Sequence, residues 1–220
     1  MQPSTERADD LAIAAAKTLL RKAILLRRDL RPLAVRKADD TRRFNQFRRR
    51  LNGDRPQTVA AYLSTGAEPG TLQLVAWLAA QGVPVLLPVL TGPAGVPLAE
   101  AAWAPYAGPD ALRMSVRSIL EPTSESLPAS AVSRADLIIC PALAANTSGD
   151  RLGRGGGWYD RALAWAHKDA QAWVLLNDDE VLEAIPTQRW DRQVNAIVTC
   201  VRVLDCRGNG SRPAGNHPKP

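Results

Sequence analysis

The run Arg151-Leu152-Gly153-Arg154-Gly155-Gly156-Gly157-Trp158-Tyr159-Asp160 packs four glycines and two arginines into ten residues. Glycines leave backbone N–H groups unscreened and permit positive φ, so a run of them can fold its amides around an oxyanion. Arg151 and Arg154 add guanidinium forks that match phosphate oxygens. A purely structural turn is the competing reading, and the two arginines favour phosphate. The run lacks the Gly-Lys-Ser/Thr of a Walker loop, and a dinucleotide fingerprint would need an acidic residue on a strand end about 20 positions later. Lys17 and Arg21 stand four residues apart, so on a helix both cations share a face and can converge on one polyphosphate. A solvated pair on a basic helix is the alternative.

These groups need elements to hold them. Asp10 is read as the cap of a helix over 11–28, with Ile13, Leu20 and Ile24 on one stripe and Lys17, Arg21 and Arg28 on another. A second, strongly basic helix is predicted over 40–51, stopped by Asn52-Gly53-Asp54. Strands are predicted over 58–63, 83–90, 137–140 and 173–176, with one or two more within 196–204. Helices are predicted over 71–81 and 158–170, and a helical turn over 179–183. Short hairpin strands over 96–103 and 113–118 fall in a Pro- and Gly-rich stretch. This alternation argues for a layered α/β sheet. The Gly-rich run sits between the strand at 137–140 and the helix from 158, whose N-terminal donors and dipole would face the same anion.

The bulk numbers agree. A 220-residue chain, 45% hydrophobic and 23% charged, suits one domain with a real core. Its net charge of +6 favours anionic partners. The arginines gather over 21–36 and 42–50, as a solvated helix face or as a ligand-facing patch. Three widely spaced cysteines, Cys140, Cys200 and Cys206, form no zinc set and suit buried thiols in a reducing cytosol. No stretch approaches the ~18 apolar residues of a membrane span. The acidic start, with Glu6, Asp9 and Asp10, is unlike a secretory signal, so a cytoplasmic protein is expected. One domain is expected over 1–206, with a disordered tail over 207–220.

With Cys140-Pro141-Ala142-Leu143 before it and Arg161-Ala162-Leu163 after it, the Gly-rich run resembles the signature of the 5-formyltetrahydrofolate cyclo-ligase (methenyltetrahydrofolate synthetase) family. That signature reads approximately P-G-L-x-F-D-x-x-G-x-R-L-G-x-G-x-G-Y-Y-D-R-x-L. Lys17 and Arg21 match a Lys-x-x-x-Arg pair on the family's first helix. Leu63-Ser64 with Glu68 matches a strand-end Leu-Ser and a Glu that meets the pterin. Gln81-Gly82 and Leu87-Pro88-Val89 follow in order, Glu121-Pro122 resembles a Glu-Pro near the folate site, and Ile185-Pro186, Trp190-Asp191 and Val194 resemble the ending. The resemblance runs, with gaps, over about residues 17–200. Departures are Trp158 for a Tyr or Phe, Asn146 and Asn195 for frequent Asp residues, Glu180 near a frequent Gln and Ala145 near a frequent Phe.

The resemblance implies a single-domain three-layer α/β/α sandwich with a mixed, mostly parallel sheet, like the NagB, RpiA and CoA-transferase folds. It implies ATP- and Mg2+-dependent cyclisation of 5-formyltetrahydrofolate, polyglutamylated or not, to the 5,10-methenyl form. ATP would be bound by Lys17, Arg21, Arg151, Leu152, Gly153, Arg154, Gly155, Gly156, Gly157, Trp158 and Tyr159, and the folate by Leu63, Glu68, Glu121 and Trp158. Lys17, Arg154 and Trp158 would be catalytic, and Asp160 and Asp191 would surround the magnesium ion. The expected protein is a monomer that binds neither membrane nor nucleic acid. One rival keeps the fold but takes another phosphorylated or folate-like small molecule. A second is an RNA-binding module on the basic helices, although the chain lacks repeated Arg-Gly-Gly and interleaved aromatic residues.

Overall fold

The computed structural model describes residues 4–92, 95–115 and 118–206. The expected tail over 207–220 lies outside them, as do residues 116–117 of the strand predicted over 113–118. Two long helices open the chain, α1 (Ser4–Leu30) and α2 (Leu33–Leu51). Pro32 separates them, because proline cannot continue one helix but presets φ for the next. Asn52 in the left-handed region, followed by Gly53 at φ +88°, ends α2.

The remaining elements alternate. β1 (Val59–Ala60), α3 (Leu72–Ala80), β2 (Val85–Thr91) and β3 (Pro97–Pro105) come first, then the hairpin β4 (Leu112–Met114) and β5 (Leu120–Pro122). β6 (Leu137–Cys140), the small hairpin β7 (Ala144–Ala145) and β8 (Arg151–Leu152), and α4 (Trp158–Leu163) follow. β9 (Gln171–Leu175), β10 (Ala196–Val198) and β11 (Val203–Asp205) complete the chain. Seven strands form one sheet in the order β11-β10-β9-β6-β1-β2-β3. The central pairs are parallel, and β11 and β3 close the edges antiparallel. The alternation implied a layered α/β sheet, and the family resemblance implied that it is mixed and mostly parallel, as it is. Among the described residues no helix is long and apolar enough to cross a membrane.

Phe47 of α2 joins that helix to the sheet, edge-on to Trp173 of β9 at 5.7 Å and near Trp77 of α3. Three sequence expectations need correction. Asp10 does not start α1, which already runs from Ser4. Asp40 does not start α2, because Pro32 fixes its beginning seven residues earlier. It lies inside the helix instead and, with Asp39, forms ion pairs with Arg31, Arg42 and Arg43. α4 is six residues long, not thirteen. The N–H groups of Ala164, Trp165 and Ala166 turn to i−3 carbonyls, and the chain leaves the helix to reach β9.

Cys140, at the end of β6, is buried, and desolvation of its thiolate pushes the thiol from 9.0 to about 11. The folded state therefore holds this proton more tightly than the unfolded chain. Its contribution to stability is complete below the unfolded value and fades as pH rises from about 9 towards 11. Denaturant midpoints measured across that window should fall with pH, and Cys140→Ala should flatten the fall.

Candidate active site

The carboxyl ends of β1, β2 and β6 open into a cleft of about 2390 Å³, where ligands bind in open α/β sheets. From β6 the chain passes Pro141 into the β7–β8 hairpin. Asn146 shapes its turn by accepting the N–H groups of Ser148 and Asp150 at 3.0 and 2.9 Å. Gly149 has φ +90°, and a Cβ there would lie 2.6 Å from the Val194 carbonyl oxygen, so only glycine fits. The hairpin delivers residues 153–157 as a loop into α4, with Gly155 at φ +102° and Gly157 at φ +64°.

None of the backbone N–H groups of residues 153–157 donates to a protein acceptor among the described residues. These five donors can converge on an oxyanion. The single turn and a half of α4 adds little dipole to them, unlike the long helix the sequence suggested. Arg21 Nε donates to the Gly153 carbonyl at 2.9 Å and holds the loop against α1. Gly157→Ala should strain this loop, since Ala seldom adopts φ +64° and its Cβ would approach Arg161 Nη1 at 3.0 Å. A loss of about 1 kcal/mol of stability is expected, measured by denaturant unfolding.

α1 supplies the opposite wall. Lys17, Ile24 and Arg28 are buried on one face, with Arg21 partly covered beside them. The cationic stripe therefore points inward, and the solvated-pair alternative is ruled out for Lys17. Lys17 Nζ contacts Asp191 Oδ2 at 2.5 Å and donates to Gln188 Oε1 at 3.2 Å. Arg151 Nη2 meets Asp160 Oδ1 at 2.5 Å, and Arg154 Nε meets Glu68 Oε1 at 2.9 Å. Glu68 Oε2 also accepts the Thr65 N–H at 2.8 Å. The Arg192 N–H donates to Asp160 Oδ1 at 3.3 Å, which brings the segment carrying Asp191 against Asp160.

Asp160 Oδ2 and Asp191 Oδ1 accept no hydrogen bond among the described residues. Each carboxylate thus keeps one hard oxygen for a cation. No cluster of three His, Cys, Asp or Glu residues exists among the described residues. Two carboxylate oxygens with the rest of the shell left to water and phosphate fit Mg2+ and do not fit a fully protein-ligated ion.

Trp158 lines the cleft, packed edge-on to Trp103 at 5.0 Å and tilted against Tyr159 at 4.7 Å. Burial pushes the Tyr159 phenol well above its ordinary value and keeps it neutral. The Tyr159 hydroxyl, Trp103 Nε1 and Arg151 Nε are buried without partners among the described residues.

Fifteen of the sixteen sequence-predicted site residues line this one cleft. Glu121 does not. Neighbours on a strand face opposite ways, and Leu120 takes the cleft side of β5. Glu121 is fully buried towards β2, accepting the Thr91 hydroxyl at 2.6 Å and the Leu90 N–H at 3.3 Å. Sequence reasoning missed Tyr62, Trp103, Gln188 and Arg192. Tyr62 could have been found, because it lies near the carboxyl end of the strand predicted over 58–63. The other three carry no local signal.

Comparison with known proteins follows the same lines. The sequence model of the 5-formyltetrahydrofolate cyclo-ligase family matches residues 13–200. A 5-formyltetrahydrofolate cyclo-ligase of Mycolicibacterium smegmatis is 38% identical over 187 residues, covering 84% of this chain and 93% of that protein. One from Escherichia coli is 35% identical over 149 residues, covering 67% of this chain and 80% of its own. The solved structure of Aquifex aeolicus 5,10-methenyltetrahydrofolate synthetase superposes with a TM-score of 0.73 at 24% identity, over 91% of this chain and 98% of that one. At that identity the likeness speaks for the fold.

Proposed function

The chain belongs to the 5-formyltetrahydrofolate cyclo-ligase family, and from that premise we propose that it closes 5-formyltetrahydrofolate to 5,10-methenyltetrahydrofolate at the expense of ATP, releasing ADP and phosphate. The observation that carries the ATP half is the set of five unengaged loop amides flanked by Lys17, Arg21, Arg151 and Arg154.

The chemistry asks for such a site. An amide-like formyl carbon is a poor electrophile and its oxygen a poor leaving group. Transfer of the γ-phosphoryl group to the formyl oxygen answers both difficulties. The N10 lone pair then forms the new bond to the formyl carbon, the C–O bond breaks with its electrons on the departing phosphate, and the N10 proton is lost. Phosphoryl transfer is mainly positioning and charge stabilisation. The loop amides and Arg154 orient the phosphates, and Lys17 neutralises them from α1. Asp160 and Asp191 would hold Mg2+, which would supply positive charge to offset that of the phosphates. Trp158, backed by Trp103, offers an aromatic face to the pterin, with Leu63 beside it. Glu68, at the same end of the cleft, can accept hydrogen bonds from pterin N–H groups.

The test is spectroscopic: methenyl product should appear only when 5-formyltetrahydrofolate, ATP and Mg2+ are all present. Thermal denaturation gives a second check. A ligand at one hundred times its Kd stabilises by about 2.7 kcal/mol, so each substrate should raise the midpoint by about 5–11 °C. A shift with ATP and none with the folate would point to the non-folate rival.

A further inference from the structure

The outer face of α1 carries large, exposed apolar side chains. Leu11, Leu19, Leu26 and Leu30 are 62 to 73% exposed. With Ala8, Ala12, Ala15 and Ala23 they fall within about 120° of the helix circumference, on the side away from Lys17 and Arg28. Isolated exposed leucines need no explanation, but a stripe about 33 Å long, interrupted by Lys22, marks an interaction surface.

We propose that this stripe pairs with its own copy in a second chain, with the two α1 helices antiparallel about a two-fold axis near Leu19. Sizes match only in that direction. Centred on Leu19, the register sets Ala8 opposite Leu30 and Ala12 opposite Leu26, so small side chains receive large ones at both ends, while Ala15 faces Ala23, Leu19 meets its own copy and Leu11 faces Arg27. Charges match as well. A two-fold perpendicular to the helices brings like flanks together. One flank then places Asp9 beside Arg27 of the other copy, and the opposite flank places Arg7 beside Asp29. Arg7, Asp9 and Asp29 make no ion pair within the chain among the described residues, whereas Arg27 also meets Asp179 at 3.3 Å.

The C-terminal segment 207–220 does not suit the stripe, since alanine and proline are its only apolar residues. A helix pair of this size lies at the small end of specific interfaces, so the dimer is a micromolar one. The inference does not depend on the proposed reaction, because Lys17 and Arg21 face the other way.

Sedimentation velocity over about 1 to 500 µM should show the mass rising towards twice that of the monomer. Leu19→Glu/Leu26→Glu should remain monomeric throughout, with unchanged turnover and thermal midpoint. Asp29→Arg should weaken association, and Arg7→Asp with Asp29→Arg should restore it by exchanging the charges. A wild-type chain that stays monomeric over the whole range, or a Leu19→Glu/Leu26→Glu variant that still dimerises, overturns the proposal. Loss of association in Asp29→Arg without recovery in the double variant overturns the antiparallel register.

Discussion

Arg154→Ala and Lys17→Ala should each lower turnover by about 10³-fold or more, the scale on which phosphoryl-transfer sites depend on a single cationic group. The two variants are expected to differ in stability. Arg154 is half exposed, and its Glu68 partner keeps the Thr65 N–H, so Arg154→Ala should denature like the parent. Lys17 is buried against Asp191, and its loss leaves a carboxylate with only the Gln188 N–H, so Lys17→Ala should also lose about 1–3 kcal/mol. Single-turnover kinetics on folded protein separates the two effects. Parent-like rates in both variants would remove the cationic clamp from the mechanism.

Removal of the Glu180 carboxylate should have the largest effect on stability. Arg28 on α1 and Glu180 are almost fully buried and joined by two hydrogen bonds, Nε to Oε1 and Nη2 to Oε2, both 2.7 Å. Glu180 also accepts the Asn177 N–H at 2.9 Å and its side-chain amide at 2.8 Å. Every bond to this carboxylate comes from a donor. Glu180→Ala strands a buried guanidinium, and losing one partner of such a pair costs about 3–5 kcal/mol. Glu180→Gln should be damaging too, because its amide turns a donor towards other donors. Both variants should melt about 6–20 °C lower yet keep turnover at temperatures where they are folded, since neither residue lines the cleft. A melting point close to the parent's would show that the pair is replaceable.

Much of the site was legible because its signals are local. The Gly-rich loop is one continuous segment, and Lys17 and Arg21 are a helical pair. Glu68 and Asp191 were reached only through resemblance to family motifs. Contacts between distant segments were not legible. Arg28 and Glu180 lie 152 residues apart, and nothing near either one announces the other. Trp103 ends a strand that was predicted, but nothing local announced that it supports the ring facing the cleft. The length of α4 was misjudged because Trp165–Ala170 is locally acceptable to a helix, and the position of β9 decides otherwise. Glu121 shows the reverse error. A motif placed it at the folate, whereas the alternation of β5 turns its carboxylate into the core.

The central claim is that the backbone of residues 153–157 grips the triphosphate. Glycine amide resonances can be followed directly while a non-hydrolysable ATP analogue is titrated with Mg2+. The account predicts that Gly153, Gly155, Gly156 and Gly157 move together and saturate with the nucleotide. Saturable shifts elsewhere with these four amides unmoved would contradict it.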